Sequence, residues 1–328
     1  MRVGKLNWDD LNYIIDNHKG KIRDEVQVSN GVGEDCAVIN IGNEQCVLST
    51  DPITGAGENL GKIAVNINCN DIASCGVEPL GILVTILAPP KTELNELYDL
   101  MEEIHKEALR INVQILGGHT EVTEAVNKIV VSCTAIGRGS AGSAISTAGA
   151  QIGDYIIVTK ELCLEGTSIL VNDFEDRCRE VLTEAEMEGA RAYADRLSVV
   201  REGIIGGKCG VSSMHDITEG GVLGALWELA TACGVGFQVD RERMPLTDIT
   251  RKVCERFMID PLKLISSGSM LITTQNPEIL LEAFNKEGIK ATVIGRITES
   301  EGMITGGGHR KSVAPPEADE LFNPSLEK

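Results

Sequence analysis

The sequence predicts a two-domain α+β protein, an α/β sandwich in which residues 1-150 form the N-terminal unit and residues 151-328 the C-terminal unit. A chain of 328 residues is about twice the usual domain size, so one large or two medium domains are expected. Strand and helix patterns occur in both halves without strict alternation, which favours antiparallel or mixed sheets over a Rossmann sheet. A stretch rich in Gly, Ala and Ser over 137–153 marks the predicted boundary.

Hydrophobic periodicity defines the elements of the N-terminal unit. The clearest ends are those at Gly20, Asp51-Pro52 and Pro89-Pro90, because these residues interrupt the preceding pattern. In chain order the patterns predict a helix over 7–19, a strand over 46–50, a helix over 60–75, a strand over 79–87, a helix capped by Thr92 and running to 109, and strands over 113–116 and 129–136 around a polar connection.

The C-terminal unit begins with a new apolar strand and is again a mixture of strands and helices. Its most regular helix carries apolar residues at i, i+3, i+4, i+7 and i+11 from Val222 to Cys233. The full set of predictions is a strand over 155–159, helices over 167–173, 184–205 and 222–233, a strand over 235–239, and a helix over 277–286 between strands 270–274 and 291–297.

The charge balance excludes two classes of function. The chain has 49 acidic and 30 basic side chains and a formal net charge of −19. Such an excess repels phosphate backbones and anionic headgroups, so we expect neither nucleic acid nor a membrane as a partner. Small anions would therefore need local help to bind, for example from a cation.

The cysteines and the N-terminal residues predict a cytoplasmic protein with reduced thiols. None of the ten cysteines forms a Cys-x-x-Cys pair, so zinc knuckles and thioredoxin-like chemistry have no support, and we interpret the cysteines as small core residues. The first residues lack the apolar segment of a signal peptide, and no run approaches the roughly 18 apolar residues of a membrane span.

The candidate binding residues are acids in turns that are flanked by glycine or by apolar strands. The common nucleotide loops, Gly-x-Gly-x-x-Gly after a strand and the P-loop, are absent. Magnesium, however, takes oxygen ligands and is usually held by carboxylates together with substrate phosphates, so an acidic protein can bind ATP through Mg²⁺. The candidate positions are Asp35, Asp51, Asn68, Asp71, and the run Gly117-Gly118-His119-Thr120-Glu121.

Each candidate has an ordinary structural interpretation as well. Asp51 is by itself a turn acid, Asp71 could lie on a solvated helix face, and Gly117-Gly118 could be a plain turn. Asn68 and Asp71 are three residues apart and share a face of an otherwise apolar helix, where unpaired polar groups are costly. Lys62, in the first turn of that helix, is either a phosphate partner or a solvated lysine, and the helix N-terminus near Leu60 would add a favourable dipole.

Two segments of the second half leave alternatives open. His215 and Asp216 precede Gly220-Gly221 and an apolar helix, which suggests an anion or substrate site. Alternatively, Thr218 or Asp216 caps the helix and His215 is a satisfied core residue. The segment Gly306-Gly307-Gly308 followed by His309-Arg310-Lys311 is either a phosphate-binding loop or a flexible tail.

Five motifs in register resemble the aminoimidazole ribonucleotide synthetase (PurM) superfamily, over about residues 31–297. Within it the chain is most similar to the AIR synthase-related and hydrogenase maturation HypE-like proteins, because Asp260-Pro261-Leu262 and the His-Asp-x-Thr-Glu-Gly-Gly block are typical of those groups. Thiamine-monophosphate kinase is a more distant resemblance. The motifs are Gly33–Val38, Ser49–Thr54, Ala64–Leu80, Gly117–Val122 and His215–Gly221.

The resemblance implies an N-terminal domain that dimerises through its sheet and ATP with Mg²⁺ bound in the cleft between the domains. By motif position, Asp35, Asp51 and Asp71 are the implied metal and phosphate ligands, with Glu121 and His119 completing the site. Asp216 and His215 would act near the phosphoryl acceptor. The implied chemistry is phosphorylation of an amide-type or similar oxygen, in which the protein supplies positioning and charge stabilisation.

Two departures from the family pattern limit what the resemblance implies. HypE ends in a cysteine that carries the group to be dehydrated, whereas this chain ends Ser325-Leu326-Glu327-Lys328, so we do not expect HypE's own reaction. His119 stands where an acid is usual. The leading hypothesis is a homodimeric enzyme that depends on ATP and Mg²⁺ and acts on a small molecule or carrier protein, and the rival is a non-catalytic ATP-binding maturation or scaffold partner.

Overall fold

The computed structural model contains two β-sheets, each covered by helices, and confirms the α+β, two-domain architecture. It describes residues 6, 8–16, 18–29, 31, 33–54, 59–315 and 318–326. The first sheet takes its strands from residues 26–140 and the second from residues 155–312.

The first sheet has six strands in the order β1-β2-β3-β6-β4-β5. Its neighbours are antiparallel except β4 and β5, which are parallel, and α3 is the crossover helix between them. The elements are α1 (Trp8–Asp16), β1 (Val26–Val28), β2 (Ala37–Ile41), β3 (Glu44–Ile53), α2 (Leu60–Ser74), β4 (Glu78–Ala88), α3 (Leu94–Arg110), β5 (Gln114–Val122) and β6 (Val130–Ser140).

The second sheet has seven strands in the order β13-β12-β9-β11-β7-β10-β8, in which only the β12 and β9 pair is parallel. The elements are β7 (Tyr155–Thr159), α4 (Leu164–Asp173), α5 (Glu175–Cys178), α6 (Glu184–Arg191), α7 (Val200–Cys209), β8 (Ser213–Ile217), α8 (Gly221–Cys233), β9 (Gly236–Asp240), α9 (Asp248–Phe257), β10 (Ser269–Thr274), α10 (Pro277–Lys286), β11 (Ala291–Thr298), β12 (Met303–Gly306) and β13 (His309–Ser312).

Helix α2 is the element that joins the two halves. It is buried along nearly its whole length and packs on β3 and β6 on one side. On another side Ile63 and Ile67 contact Leu164 of the second half. The Asn70 side chain accepts a hydrogen bond from the backbone N–H of Val199 at 2.8 Å and donates one to a backbone carbonyl at 2.9 Å. Burial and these hydrogen bonds fix the second half against the helix that carries Asp71.

Several predicted elements change in detail. The predicted helix over 184–205 is two helices, α6 and α7, separated by a short 3-10 segment, because the chain turns at 197–199 to reach α2. The α3 helix is capped by a capping box at Glu93 and not by Thr92. Strand β5 extends over the predicted polar connection as far as Val122.

The Gly306–Gly308 segment is an ordered turn and not a flexible tail. It forms the turn of the β12–β13 hairpin, and Gly307 and Gly308 have φ values of +57° and +78°. A two-residue hairpin turn with two positive φ angles favours glycine, which explains the sequence without a ligand. The Gly307 backbone N–H donates to the Glu242 carboxylate at 3.3 Å, so an acid already takes this donor.

Among the described residues no helix is both long and apolar enough to cross a membrane.

The close packing of α7 on α2 predicts a large cost for a single methyl group. A Cβ at Gly203 would lie 2.1 Å from the backbone carbonyl oxygen of Ala73, so Gly203→Ala must push the two helices apart. We expect a loss of about 1–3 kcal/mol in the free energy of unfolding, measured by urea denaturation. Gly189→Ala in α6 is the matched control: its Cβ would meet nothing nearer than 3.5 Å, and we expect unchanged or slightly higher stability. Equal stability of the two variants would contradict the packing argument.

Candidate active site

Asp71 lies at the centre of the candidate site, on the face of α2 that meets the first sheet. Its side chain is 2% exposed and accepts a hydrogen bond from the Ser49 hydroxyl on β3. Asn68, one turn earlier, accepts a hydrogen bond from the Asp51 backbone N–H at 2.7 Å and donates to the carbonyl of the same residue at 3.3 Å. The apolar helix therefore fixes both Asp71 and the backbone of Asp51.

Strand β8 brings His215 and Asp216 to the same place from the second half. All five residues of this strand are buried. The Nε2 atom of His215 is 2.9 Å from Oε2 of Glu228 on α8, and its Nδ1 atom makes an ion-pair contact of 3.2 Å with Oδ2 of Asp35. His215 thus lies between a carboxylate of its own half and one of the first half.

The short segment that carries Asp35 packs against the second half at Gly33 and is bonded to residues 146 and 148 through Glu34. Gly33 has a φ of +74°, and a Cβ there would lie 3.1 Å from the backbone carbonyl oxygen of Glu228. Glu34 accepts hydrogen bonds from the Ser146 hydroxyl and from the Ala148 backbone N–H. A side chain at Gly33 would be strained and crowded, so glycine allows Asp35 to reach His215.

The acids of this cluster influence one another strongly. Burial raises the pKa of Asp71 well above its usual range, and the negative charges of Asp216, Asp35 and Asp51 raise it further. Burial, together with Asp35, raises the pKa of Asp216 to about 7. Burial alone would lower the pKa of His215, but the facing carboxylates of Asp35 and Glu228 outweigh it and raise the pKa well above its usual value.

The cluster has the composition of a cation site. Both carboxylate oxygens of Asp216 are buried without a hydrogen-bond partner among the described residues, and the buried Nδ1 atom of His215 has the ion-pair contact with Asp35. One ligand atom each from Asp35, His215 and Asp216 lies within 4.8 Å of the others. Buried groups of this kind are costly unless a partner neutralises them, and convergent carboxylates fit a divalent cation.

The structure does not bring His119 and Glu121 to this cluster. Both residues lie on β5, where His119 pairs with Thr85 and Gly118 pairs with the buried Val84. Successive side chains of a strand point to opposite faces, so His119 and Glu121 face away from α2. Their side chains are 68% and 53% exposed, and Nε2 of His119 lies 3.6 Å from Oε2 of Glu121.

Gly117, Gly118 and Lys62 are also explained by the fold. Gly117 and Gly118 are part of β5 rather than a turn, and a Cβ at Gly118 would lie 1.8 Å from the carbonyl oxygen of Val84. Lys62 makes an ion pair of 2.6 Å with Asp195. It lies nine residues before Asp71, about 13 Å along the helix axis, so neither Lys62 nor the N-terminus of α2 adjoins the acids.

Sequence reasoning missed Ser49 and Glu228 as members of the site. Ser49 is hidden in a strand pattern, where a small hydroxyl carries little signal. Glu228 gives a clearer one, because it is an acid in the middle of the apolar helix α8 and is 4% exposed. A buried acid on an apolar helix requires a partner, and His215 is that partner.

Sequence profiles of one family match both halves of the chain. The profile "AIR synthase related protein, N-terminal domain" matches residues 33–139, which include Asp35, Asp51 and Asp71. The profile for the C-terminal domain of the same family matches residues 151–306, which include His215 and Asp216. The chain belongs to the AIR synthase related family. This membership confirms the resemblance to the PurM superfamily.

Curated relatives of this AIR synthase related protein include maturation proteins of hydrogenases. A Methanocaldococcus jannaschii protein named for hydrogenase expression and formation is 29% identical over 295 residues, which are 84% of each chain. The carbamoyl dehydratase HypE of Rhizobium leguminosarum bv. viciae is 26% identical over 296 residues, covering 84% of this chain and 82% of HypE.

Solved structures of two differently named kinds of protein, HypE and ThiL, have the same fold as this chain. The HypE–HypF complex contains a chain that matches with a TM-score of 0.76 and 20% identity, over 94% of this chain and 100% of that one. AaThiL, solved with AMPPCP and TMP, matches with a TM-score of 0.77 and 21% identity, over 98% and 99% of the two chains. At these identities the likeness concerns the fold.

The pKa of Asp216 predicts a pH-dependent stability of the metal-free protein. Its folded pKa of about 7 lies above the unfolded value of about 3.9, so the folded state binds the proton more tightly and stability falls as the pH rises from about 4 to about 7. Asp216→Asn removes this dependence on pH. In EDTA, we therefore expect the free energy of unfolding of the variant, compared with that of wild type, to be up to about 4 kcal/mol more favourable at pH 8 than at pH 4.

The measurement is urea unfolding of both proteins at the two pH values. Asp99→Asn, on the exposed face of α3, is the control and should follow wild type. A constant difference between Asp216→Asn and wild type at pH 4 and pH 8 would show that the Asp216 carboxyl is not desolvated in the fold.

Proposed function

We propose that this protein is an ATP- and Mg²⁺-dependent enzyme that phosphorylates an amide-type or similar oxygen on a small molecule or a carrier protein. The convergence of Asp35, Asp51 and Asp71 of the first half on Asp216 of the second carries the proposal. Phosphoryl transfer needs positioning and neutralisation of phosphate charge, which a carboxylate-bound cation supplies.

Each residue of the cluster has a role that follows from its contacts. Asp35, Asp51 and Asp71 would hold Mg²⁺ that binds the ATP phosphates, because carboxylate oxygens are the ligands that such a cation requires. Ser49 and Asn68 keep Asp71 and the Asp51 backbone in place. Asp216, held beside His215 on a buried strand, would act at the acceptor as acid, base or orienting group.

The relatives support ATP as the phosphoryl donor. Carbamoyl dehydratase HypE and ThiL are named for different reactions, and AaThiL was solved with AMPPCP, an ATP analogue. The shared fold with different activities favours a common nucleotide site and a variable acceptor site. The HypE-type carbamoyl dehydration remains a less favoured alternative.

A homodimer through the first sheet fits the exposed surface. The face of β4 and β5 away from α2 presents Leu83 and Leu116, with exposures of 41% and 48%. The helices cover the other face of this sheet, so a second copy is the proposed cover for this one. His119 and Glu121 lie on this same face and would then be near the partner rather than in the site of their own chain.

Replacement of Asp71 tests the proposed function. Asp71→Asn keeps the shape and the contact with Ser49 but removes the central negative charge, so we expect at least about a 100-fold loss of ATP turnover with a folded protein. ADP release in the presence of Mg²⁺ measures the turnover, and circular dichroism checks that the variant is folded. Asp195→Asn, an exposed acid paired with Lys62 outside the cluster, should keep wild-type turnover. Wild-type turnover in Asp71→Asn would refute the proposal.

The rival function is a non-catalytic ATP-binding maturation or scaffold partner, and the solved HypE–HypF complex is a case in which a relative by fold binds another protein. Calorimetry with ATP and Mg²⁺, followed by phosphate-release assays with and without cell extract, separates the two functions. Binding without stimulated release would favour the scaffold, and release that extract stimulates would favour the enzyme.

A further inference from the structure

We propose that His215 is a metal ligand through its Nδ1 atom, and that Asp35, His215 and Asp216 form a site for a divalent first-row transition metal in preference to Mg²⁺. The inference deepens the proposed function and rests on the same acidic cluster, but cation binding here requires neither nucleotide nor turnover. It concerns the end of the cluster where one ligand atom of each of these residues lies within 4.8 Å of the others.

The contact with Glu228 determines which nitrogen of His215 can bind a metal. Nε2 of His215 is 2.9 Å from Oε2 of Glu228, so Nε2–H is the donor to this carboxylate. A neutral imidazole then carries its lone pair on Nδ1, the atom that faces Asp35. A histidine that binds a metal usually donates its other ring N–H to a carboxylate, because the carboxylate fixes the tautomer and the orientation of the ring.

Burial makes an unneutralised Asp216 carboxylate costly in this site. The His215 side chain is 2% exposed and Asp216 is 1% exposed. Both carboxylate oxygens of Asp216 lack a hydrogen-bond partner among the described residues, and Nδ1 of His215 has the 3.2 Å ion-pair contact with Asp35. A cation bound about 2.1 Å from one atom of each ligand would neutralise the Asp216 carboxylate and accept the Nδ1 lone pair. Asp35, whose side chain is 30% exposed, has the freedom to close the remaining gap.

The nitrogen ligand decides the choice of metal. Mg²⁺ prefers an all-oxygen shell, whereas imidazole suits transition metals such as Co²⁺ and Zn²⁺. Asp51 and Asp71 offer oxygen only, so they remain suited to Mg²⁺ with ATP. Without metal, a proton on Nδ1 pairs with Asp35; a metal ion takes the same electron pair, and that proton leaves to solvent.

The test uses the full chain without nucleotide, with Co²⁺ and Mg²⁺ as the probes. We expect Co²⁺ to bind at least about 10-fold more tightly than Mg²⁺ by calorimetry. His215→Gln replaces the ring nitrogen with an amide and should lose about 10- to 100-fold in Co²⁺ affinity while Mg²⁺ binding changes little. Glu228→Gln keeps the ligand and removes its support, and should weaken Co²⁺ binding by a smaller factor. His105→Gln, exposed on α3, is the matched control and should bind as wild type.

Direct detection of the nitrogen completes the test. Mn²⁺ bound to the wild-type protein should show electron spin-echo modulation from a coordinated nitrogen, which changes when histidine is labelled with ¹⁵N and disappears in His215→Gln. Absence of nitrogen coupling in wild type, or an unchanged Co²⁺ to Mg²⁺ ratio in a folded His215→Gln protein, would overturn the inference. These measurements contain no nucleotide, so their outcome does not depend on whether the protein turns over ATP. Absence of ATP turnover in the wild-type protein would count against the proposed function and not against the metal site.

Discussion

The burial of several carboxylates at one junction is the constraint on which the rest of the structure depends. Asp71 and Asp216 are almost completely buried, and Asp35 and Asp51 add their charges nearby. Desolvation and mutual repulsion both oppose this arrangement, and a single imidazole between Asp35 and Glu228 offsets only part of it. The fold gives up stability to keep this cluster, and the proposed function supplies a reason, because a cation bound there would offset the cost.

The fold meets this constraint mainly with helices and strands, because Asp51, Asp71 and Asp216 lie on β3, α2 and β8. Three buried asparagines on α2 all have partners: Asn66 bonds Glu107, Asn68 bonds the Asp51 backbone, and Asn70 bonds the chain at 197–199. Because the polar groups of an apolar helix are satisfied in this way, α2 is fixed against both halves at once. Asp51, Asp71 and Asp216 therefore come together on regular elements, and only Asp35 of the four acids lies on a connecting segment. This arrangement favours preorganised charge stabilisation.

The sequence predicted the fold, and it predicted several of the residues that the structure brings together in the cluster. The apolar patterns of α2, β7 and α10 are strong because these elements are buried. Asp71 interrupts such a pattern and Asp216 precedes one, so both acids could be recognised as candidates from the sequence. What the sequence could not show is which face a residue takes and how far apart two elements lie. The pleat of β5 turns His119 away from the cluster, and helix length separates Lys62 from it. Glu228 was missed because its partner lies 13 residues away on another element.

The path from Glu228 through His215 to Asp35 also links the two halves energetically. Asp35 and Gly33 belong to the first half, but both contact the second half, Asp35 through His215 and Gly33 through the backbone of Glu228. A shift of α8 relative to the first sheet would move this acid away from Asp51 and Asp71, which stay on their own side. The position of Asp35 is thus conditional on how the halves are packed, whereas Asp51 and Asp71 are fixed within the first half.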